Sequence, residues 1–363
     1  MNKIDKYFSF VVSALLIMAA FFAAFFYFKY GVITKSTTSK ESLNFSDQAV
    51  SQLKKDQPKD QYVVFGVVGD IMLSRQVADQ MKKHNNPLLP FIGMGEWLKS
   101  NDFNFANLES LFTGSNFIPP VNSLLFNAWP DSLLGLVENN FKVLSLANNH
   151  ALDYGLKAIK HSRSLLLNQG LQVTGVGQDS AEAWQPAILE NKGIKIGFLA
   201  VSYSSFNDNG VASSPYIARW DDWKKLSASI DNLRQQVDLI VVSMHGGVEY
   251  TDKASLSQIK FAHTAIDQGA DLVIGHHPHW VQPREIYKKK MIYYSLGNFI
   301  FDQMWSQPTK QGLVVRITAQ KKEEPNGQVK FAFVKFEEYP ILIEDYAIPK
   351  LNGAVEIINM PVN

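Results

Sequence analysis

Residues 270–282 read Ala-Asp-Leu-Val-Ile-Gly-His-His-Pro-His-Trp-Val-Gln, an apolar run that stops at a glycine and gives way to three histidines within four positions. Few folds accommodate that combination. The apolar part lacks the polar alternation of a half-solvated strand, so it predicts a strand buried on both faces, as in a parallel sheet covered by helices. Pro278 fixes its own φ and has no N–H for a ladder, which predicts that pairing ends here in a stiff loop. If the backbone stays extended past Gly275, His277 and His279 point to one side and His276 to the other. Two neutral imidazoles held side by side point to a metal. The plainer alternative is a polar loop whose histidines are only hydrogen-bonded.

The same arrangement, an apolar strand that ends in polar groups, recurs along the chain. Residues 62–68 lead into Gly69-Asp70, and Arg75 follows within a helical segment, 71–83. Residues 103–108 lead to Asn107 and Glu109, and residues 112–129, with two prolines and scattered aromatics, predict a long loop over a site. Residues 141–147 run into Asn148-Asn149-His150 and Asp153, and an amphipathic helix over 156–168 closes at Gly170. The strand at 239–243 leads to His245 and Glu249, and that at 291–295 leads to Asn298 and Asp302. Beyond Gly312 two strand-like runs flank Glu324-Pro-Asn-Gly327, an Asn-Gly hairpin signal, so the C-terminal part is expected to form an antiparallel edge of the same domain.

Asp70, Asn107 with Glu109, Asn149 with His150, His245, His277 with His279, and Asn298 thus all follow the C-terminal end of an apolar strand. In open α/β sheets that edge is where ligands bind. Five of the eight histidines fall there, whereas His84, His161 and His263 lie in helical segments. Independent packing of core residues would not select one edge. Histidine, carboxylate and amide ligands without cysteine suit Mn, Fe or Zn, as two ions or as one ion with substrate-binding groups. A Ser/His/Asp triad is the rival reading, but no Gly-x-Ser-x-Gly elbow follows any strand.

A formal charge of +1 over 363 residues argues against a nucleic-acid partner, and the absence of cysteine excludes thiolate ligands and a cysteine nucleophile. Residues 8–28 carry no charge and are aromatic to the end. A transmembrane helix needs about 20 such residues, so residues 1–33 are read as an N-terminal membrane anchor. Lysines on both sides leave its orientation open. Residues 34–61 are rich in Ser, Thr, Lys, Asp and Gln, a polar linker, and residues 62–363 form the folded domain.

Taken together, Gly69-Asp70-Ile-Met-Leu-Ser-Arg75, Ala106-Asn-Leu-Glu109, Ala147-Asn-Asn-His-Ala-Leu-Asp-Tyr-Gly155, His245-Gly-Gly-Val-Glu-Tyr250, Gly275-His-His-Pro-His279 and Tyr294-Ser-Leu-Gly-Asn-Phe-Ile-Phe-Asp302 resemble the CapA/PgsA family of capsule and poly-γ-glutamate biosynthesis proteins. That family is in turn similar to calcineurin-like metallophosphoesterases. The resemblance implies an α/β fold, a layered α/β/β/α sandwich, outside the cytoplasm behind its anchor. It implies work on an anionic polymer beside membrane-bound synthase subunits, with one or two divalent ions. By the same likeness Asp70, Glu109, Asn149, His245, His277 and His279 are metal ligands, whether the first of the histidine triplet's ligands is His276 or His277 being open. His150, with Asp70, is catalytic, and Arg75, Glu249 and Asn298 face substrate or support the site. Two departures stand out: Met72 occupies the place of a phosphoesterase histidine, and Glu109 that of a bridging aspartate. The implied activities are a hydrolase acting on a phosphoester or γ-glutamyl bond, or a scaffold that retains the site without using it.

Overall fold

The computed structural model describes residues 60–203 and 214–362. The apolar stretch 8–28 and nearly all of the polar linker lie outside them, and among the described residues no helix is long and apolar enough to cross a membrane.

The chain enters at β1 (Gln61–Ile71), and β2 (Phe103–Leu108), β3 (Phe141–Ser145) and β4 (Gln172–Thr174) follow parallel to it. Helices α1 (Arg75–Lys83) and α2 (Gly155–Asn168) make two of the crossovers. A second sheet then forms from β5 (Ala187–Asn191), β6 (Ile194–Ser202), β7 (Leu239–His245), β8 (Leu272–His276), β9 (Arg284–Tyr287) and β10 (Lys290–Tyr293), in the order β5-β6-β7-β8-β10-β9. Its central strands are parallel, joined through α3 (Trp223–Arg234) and α4 (Leu256–Asp267). The chain then returns to the first sheet as β11 (Asn298–Ile300), β12 (Gln311–Glu323), β13 (Val329–Glu344), β14 (Ile348–Leu351) and β15 (Glu356–Asn359).

Alternation along β1 explains the layering. Val63, Phe65 and Val67 face a core shared with Phe198, Val241 and Ile274 of the second sheet, while Val68 and Ile71 face a core under α1 and α2. A third core lies between the second sheet and the helices α3 and α4, through Leu226, Ile230, Phe261 and Ile266. The layers are therefore helix, sheet, sheet, helix. Aromatic rings lock the two sheets: Phe105 stacks on Phe198 with centroids 5.2 Å apart, and Phe65 meets the same ring edge-on at 6.2 Å. Such pairs contribute about 0.5–1.5 kcal/mol beyond their buried area.

The hairpin forms where the Asn-Gly signal puts it, with Gly327 at φ +79°. Its strands and β14 make the antiparallel side of the first sheet that the sequence leads one to expect, with β14 at the edge. β12 pairs directly with β1, from Gln61 opposite Lys321 to Val67 opposite Val315, so the C-terminal segment supplies an interior part of the first sheet. Val315, Ile317 and Ala319 point into the inter-sheet core, whose completion outweighs the solvated face that an edge strand would keep. Near its end β1 exchanges neighbours: Asp70 lies opposite Asn298 of β11 on one side and Asn107 of β2 on the other.

Two glycines allow this crowding just before site residues. A Cβ on Gly69 would stand 2.1 Å from the Gly297 carbonyl oxygen, and one on Gly275 would stand 2.0 Å from that of Tyr294. Both obstacles are backbone. Gly275→Ala is therefore expected to exceed the about 1–3 kcal/mol of ordinary overpacking, and an unchanged melting temperature would show that β8 and β10 can part without cost.

Candidate metal centre

The C-terminal ends of β1, β2 and β3, with Asn298 at the start of β11, meet those of β7 and β8 at one place, and the side chains there are buried. Asp70, Glu109 and His245 each bring a ligand atom within 4.8 Å of the other two. Asn107 organises them: its amide donates to Asp70 Oδ1 at 2.9 Å and lies 3.3 Å from His245 Nδ1. Asn148 in turn donates to Asn107 Oδ1 at 3.2 Å and to the Leu108 carbonyl at 2.9 Å. His245 Nε2 is 2.7 Å from Asn149 Oδ1 and 3.9 Å from Glu109 Oε1.

Beyond His276 the chain is not extended. His277 adopts φ +97° and His279 φ +58°, left-handed values that are rare for non-glycine residues and costly unless the surroundings enforce them. The turn replaces the simple two-sided pattern that extension predicts and brings all three histidines near Asp70. His276 Nδ1 is 3.2 Å from Asp70 Oδ1, the His277 N–H donates to Oδ2 at 3.2 Å, and His279 Nδ1 is 3.6 Å from Oδ2. The His277 ring lies 4.9 Å from that of His245. Asn298 Oδ1 holds His279 Nδ1 at 2.9 Å while its amide donates to Gln303 and to the Thr309 carbonyl.

Burial, and then neighbouring histidines, keep these imidazoles neutral: His245 is held well below its ordinary value, His277 is lowered to about 3, and His279 is lowered as well. Burial pushes Glu109 far up, and Asp70 and Glu249 push it further. Asp70 goes the other way, because His276, His279 and Asn107 together outweigh its burial. Tyr250, stacked on His279 with centroids 5.8 Å apart, is pushed up to about 12 by burial and Glu249.

Both Glu109 oxygens are buried without a hydrogen-bond partner, and so is His277 Nδ1. Unsatisfied buried acceptors are expensive. Acceptors that converge beside an ionised aspartate and neutral histidines fit a divalent cation, with hard oxygen and borderline nitrogen donors.

His150 sits beside this group. Its Nδ1 is 3.0 Å from Asp153 Oδ2 and its Nε2 is 3.8 Å from Glu109 Oε1. Phe126, from the long loop after β2, stacks on the imidazole at 3.9 Å, and its own N–H donates to Asp153 Oδ2 at 2.7 Å. Sequence reasoning places a loop over the site but does not find Phe126, since one aromatic among several in an irregular segment carries no periodic signal. The Arg75 guanidinium lies over the Phe126 ring, 4.6 Å from its centroid. The same guanidinium is engaged by Asp302 through Nε and Nη2 and by the Ser123 carbonyl through Nη1, so the protein already uses the group expected to face substrate. Glu249 is half-buried on the loop after β7. Met72 is in the core, its sulfur 3.1 Å from the Ser74 nitrogen, which removes it from the site. His84 and His161 are exposed, and His263 pairs with Glu285 at 3.0 Å, away from the cluster.

These features define a mixed α/β protein with a buried Asp/Glu/His group suited to a divalent metal, at the shared C-terminal edge of two sheets. The model of the bacterial capsule synthesis protein PGA_cap family matches residues 64–303, and the chain belongs to that family. Among its relatives, the capsule biosynthesis protein CapA of Bacillus anthracis is 32% identical over 68% of this chain and 62% of its own length. The PGA biosynthesis protein CapA of Bacillus subtilis is 31% identical over 68% of this chain and 65% of its own length. The chain thus spans less than two thirds of either relative. Solved structures that align with it include the calcineurin-like phosphoesterase YfkN from Bacillus subtilis, at 13% identity and a TM-score of 0.45, over 78% of this chain and 91% of that one.

Proposed function

We propose that this protein acts in the synthesis or export of an anionic capsular polymer, poly-γ-glutamate, beside membrane-bound synthase subunits, and that it does so through a divalent-metal site. The observation that carries the reading is the Asp70–Glu109–His245 group, buried and short of partners, inside the stretch that the capsule synthesis family model matches. Residues 1–33 would anchor the protein, residues 34–61 would tether it, and residues 62–363 would work as one domain outside the cytoplasm, where a polymer emerges. The uncharged run 8–28 supports the anchor.

Asp70, Glu109, Asn149, His245, His277 and His279 would hold the ion or ions, with His276 beside Asp70. A bound Mn, Fe or Zn supplies Lewis-acid charge and acidifies water at neutral pH. The chain's own groups have separate tasks. Asp70, Asn107 and Asn298 orient the histidines, Phe126 covers one face of His150, and Asp153 fixes the ring so that Nε2 points toward Glu109. As an imidazolium, His150 would hold one proton on Asp153 and offer the other to a departing oxygen or nitrogen. This placement favours a second reading alongside the first, a metal-dependent hydrolase of a phosphoester or of the polymer's γ-amide bonds.

Deleting the gene in its host and restoring wild type or the Asp70→Ala, His150→Ala or His245→Ala variant tests both. Surface polymer is expected to fall on deletion, to return with wild type, and to return short or in reduced amount with each variant. Polymer unaffected by deletion would end the capsule role. Full restoration by folded, membrane-inserted variants would leave a scaffold that does not use the site.

A further inference from the structure

The loops that surround the metal centre expose large apolar side chains to solvent. Among the described residues the most exposed large apolar side chains are Leu256 at 85%, Leu124 at 74%, Trp305 at 62% and Phe117 at 60%. All four lie in segments that leave the C-terminal ends of site strands: Phe117 and Leu124 after β2, Leu256 after β7, Trp305 after β11. Val121 and Val248 are exposed in the same loops. Residues 112–129 contain no Lys, Arg, Asp or Glu. A rim built to hold an anionic polymer by its carboxylates would be lined with cations; residues 112–129 offer none, and the loop after β7 sets one exposed lysine, Lys253, among Asp252 and Glu249. Exposed apolar groups gathered around a site mark a contact surface, and Trp with aliphatic neighbours is the composition that settles at the boundary between headgroups and acyl chains.

We propose that the rim of the metal centre rests on a lipid bilayer, with Phe117, Leu124, Leu256 and Trp305 inserted at its surface. The proposal rests on the reading of residues 8–28 as a membrane anchor. That stretch keeps a bilayer within reach of the domain at all times, and the 31 residues from 29 to 59 can span on the order of 100 Å when extended. β1, with 11 residues, covers only about 36 Å between the domain's entry point and Asp70. The linker is therefore long enough for the site edge to reach the lipid. In this arrangement the loops that bury Glu109 and His150 face the membrane surface.

The chain has no cysteine, so one introduced thiol gives a unique label. Full-length Leu124→Cys and Trp305→Cys, each carrying an environment-sensitive fluorophore, are reconstituted into vesicles of phosphatidylethanolamine and phosphatidylglycerol. Leu167→Cys at the end of α2 and Val329→Cys at the start of β13 serve as controls, since both are exposed at the opposite edge of the first sheet. Labels at 124 and 305 are expected to be quenched several-fold more by nitroxide lipids than by iodide, with the reverse at 167 and 329. Four labels that all follow iodide, in protein that floats with the vesicles, would overturn the docking and leave the anchor standing. Labels at 124 and 305 shielded from both quenchers would assign the rim to a protein, such as a second copy of this chain, and overturn the lipid contact. Protein that does not float would remove the anchor and the docking together.

Discussion

Glu109→Ala combined with His245→Ala is expected to strip the protein of divalent metal, reducing a stoichiometric content to background by elemental analysis. The double variant removes two of the three groups that bring ligand atoms within 4.8 Å of one another. Metal bound only to the folded state at a hundredfold excess over its dissociation constant stabilises by about 2.7 kcal/mol. A chelator should therefore lower the melting temperature of wild type and leave that of the variant unchanged. Stoichiometric metal in the variant would refute the assignment.

The metal-free protein should also show opposed pH dependences, because the shifts differ in sign. His277 is lowered to about 3 in the folded state, so its neutral form is favoured and nothing is lost above the unfolded value of about 6.5. As pH falls from there toward 3, the unfolded chain takes up a proton that the folded one refuses, at about 1.4 kcal/mol per unit. His245 and His279 shift in the same direction and add to the loss. Glu109 is raised instead, so its contribution is present below about 4.5 and is lost as pH climbs toward its raised folded value. Glu109→Gln should abolish the alkaline loss in metal-free protein while leaving the acid loss. Urea titrations of chelated protein across pH would show an unaltered alkaline limb if Glu109 were not its source.

Asp302→Ala is expected to cost about 3–5 kcal/mol, the range for removing one partner of a buried ion pair. Domains are stable by only about 5–15 kcal/mol, so much of the variant should unfold under mild denaturant. Asp302 receives Arg75 through two nitrogens and the Gln76 N–H at 3.2 Å. Burial nonetheless raises its carboxyl above the ordinary value despite Arg75, so the pair stabilises little relative to an apolar replacement. The cost of Asp302→Ala comes from the guanidinium left behind. The matched exchange Arg75→Met with Asp302→Leu should recover most of the stability, but not the site, because Arg75 also backs the ring that stacks on His150. A loss under about 1 kcal/mol in Asp302→Ala would mean that solvent reaches the pair.

The sequence made the ends of individual strands legible and left their neighbours obscure. Asp70, Glu109, His150 and His245 announce themselves because a continuous apolar run stops at each, a local signal. Asn107 is legible with Glu109 at a strand end, but not its partners: it bridges Asp70 and His245, residues 37 and 138 positions away. The pairing of β1 with β12 is equally hidden, since alternation on two strands does not say which will meet. An extended chain would place His276 opposite His277; two left-handed residues undo that, and the crowding around Asp70 explains why the chain tolerates them. For Arg75 a substrate contact and a structural salt bridge read equally well from the sequence, because its partner lies 227 residues further along.

The pairing of β1 with β12 also sets a schedule. Val67 meets a partner that the ribosome adds about 250 residues later, a long-range closure of the kind that slows folding. The family match ends at residue 303, before β12 begins, so the strand that flanks β1 lies beyond the matched stretch. A nascent chain that has reached residue 303 holds every candidate ligand yet exposes one unpaired edge of its first strand, a template for wrong pairing. A chain cut short between β11 and β12 would thus be a hazard to its neighbours rather than a weaker version of the protein.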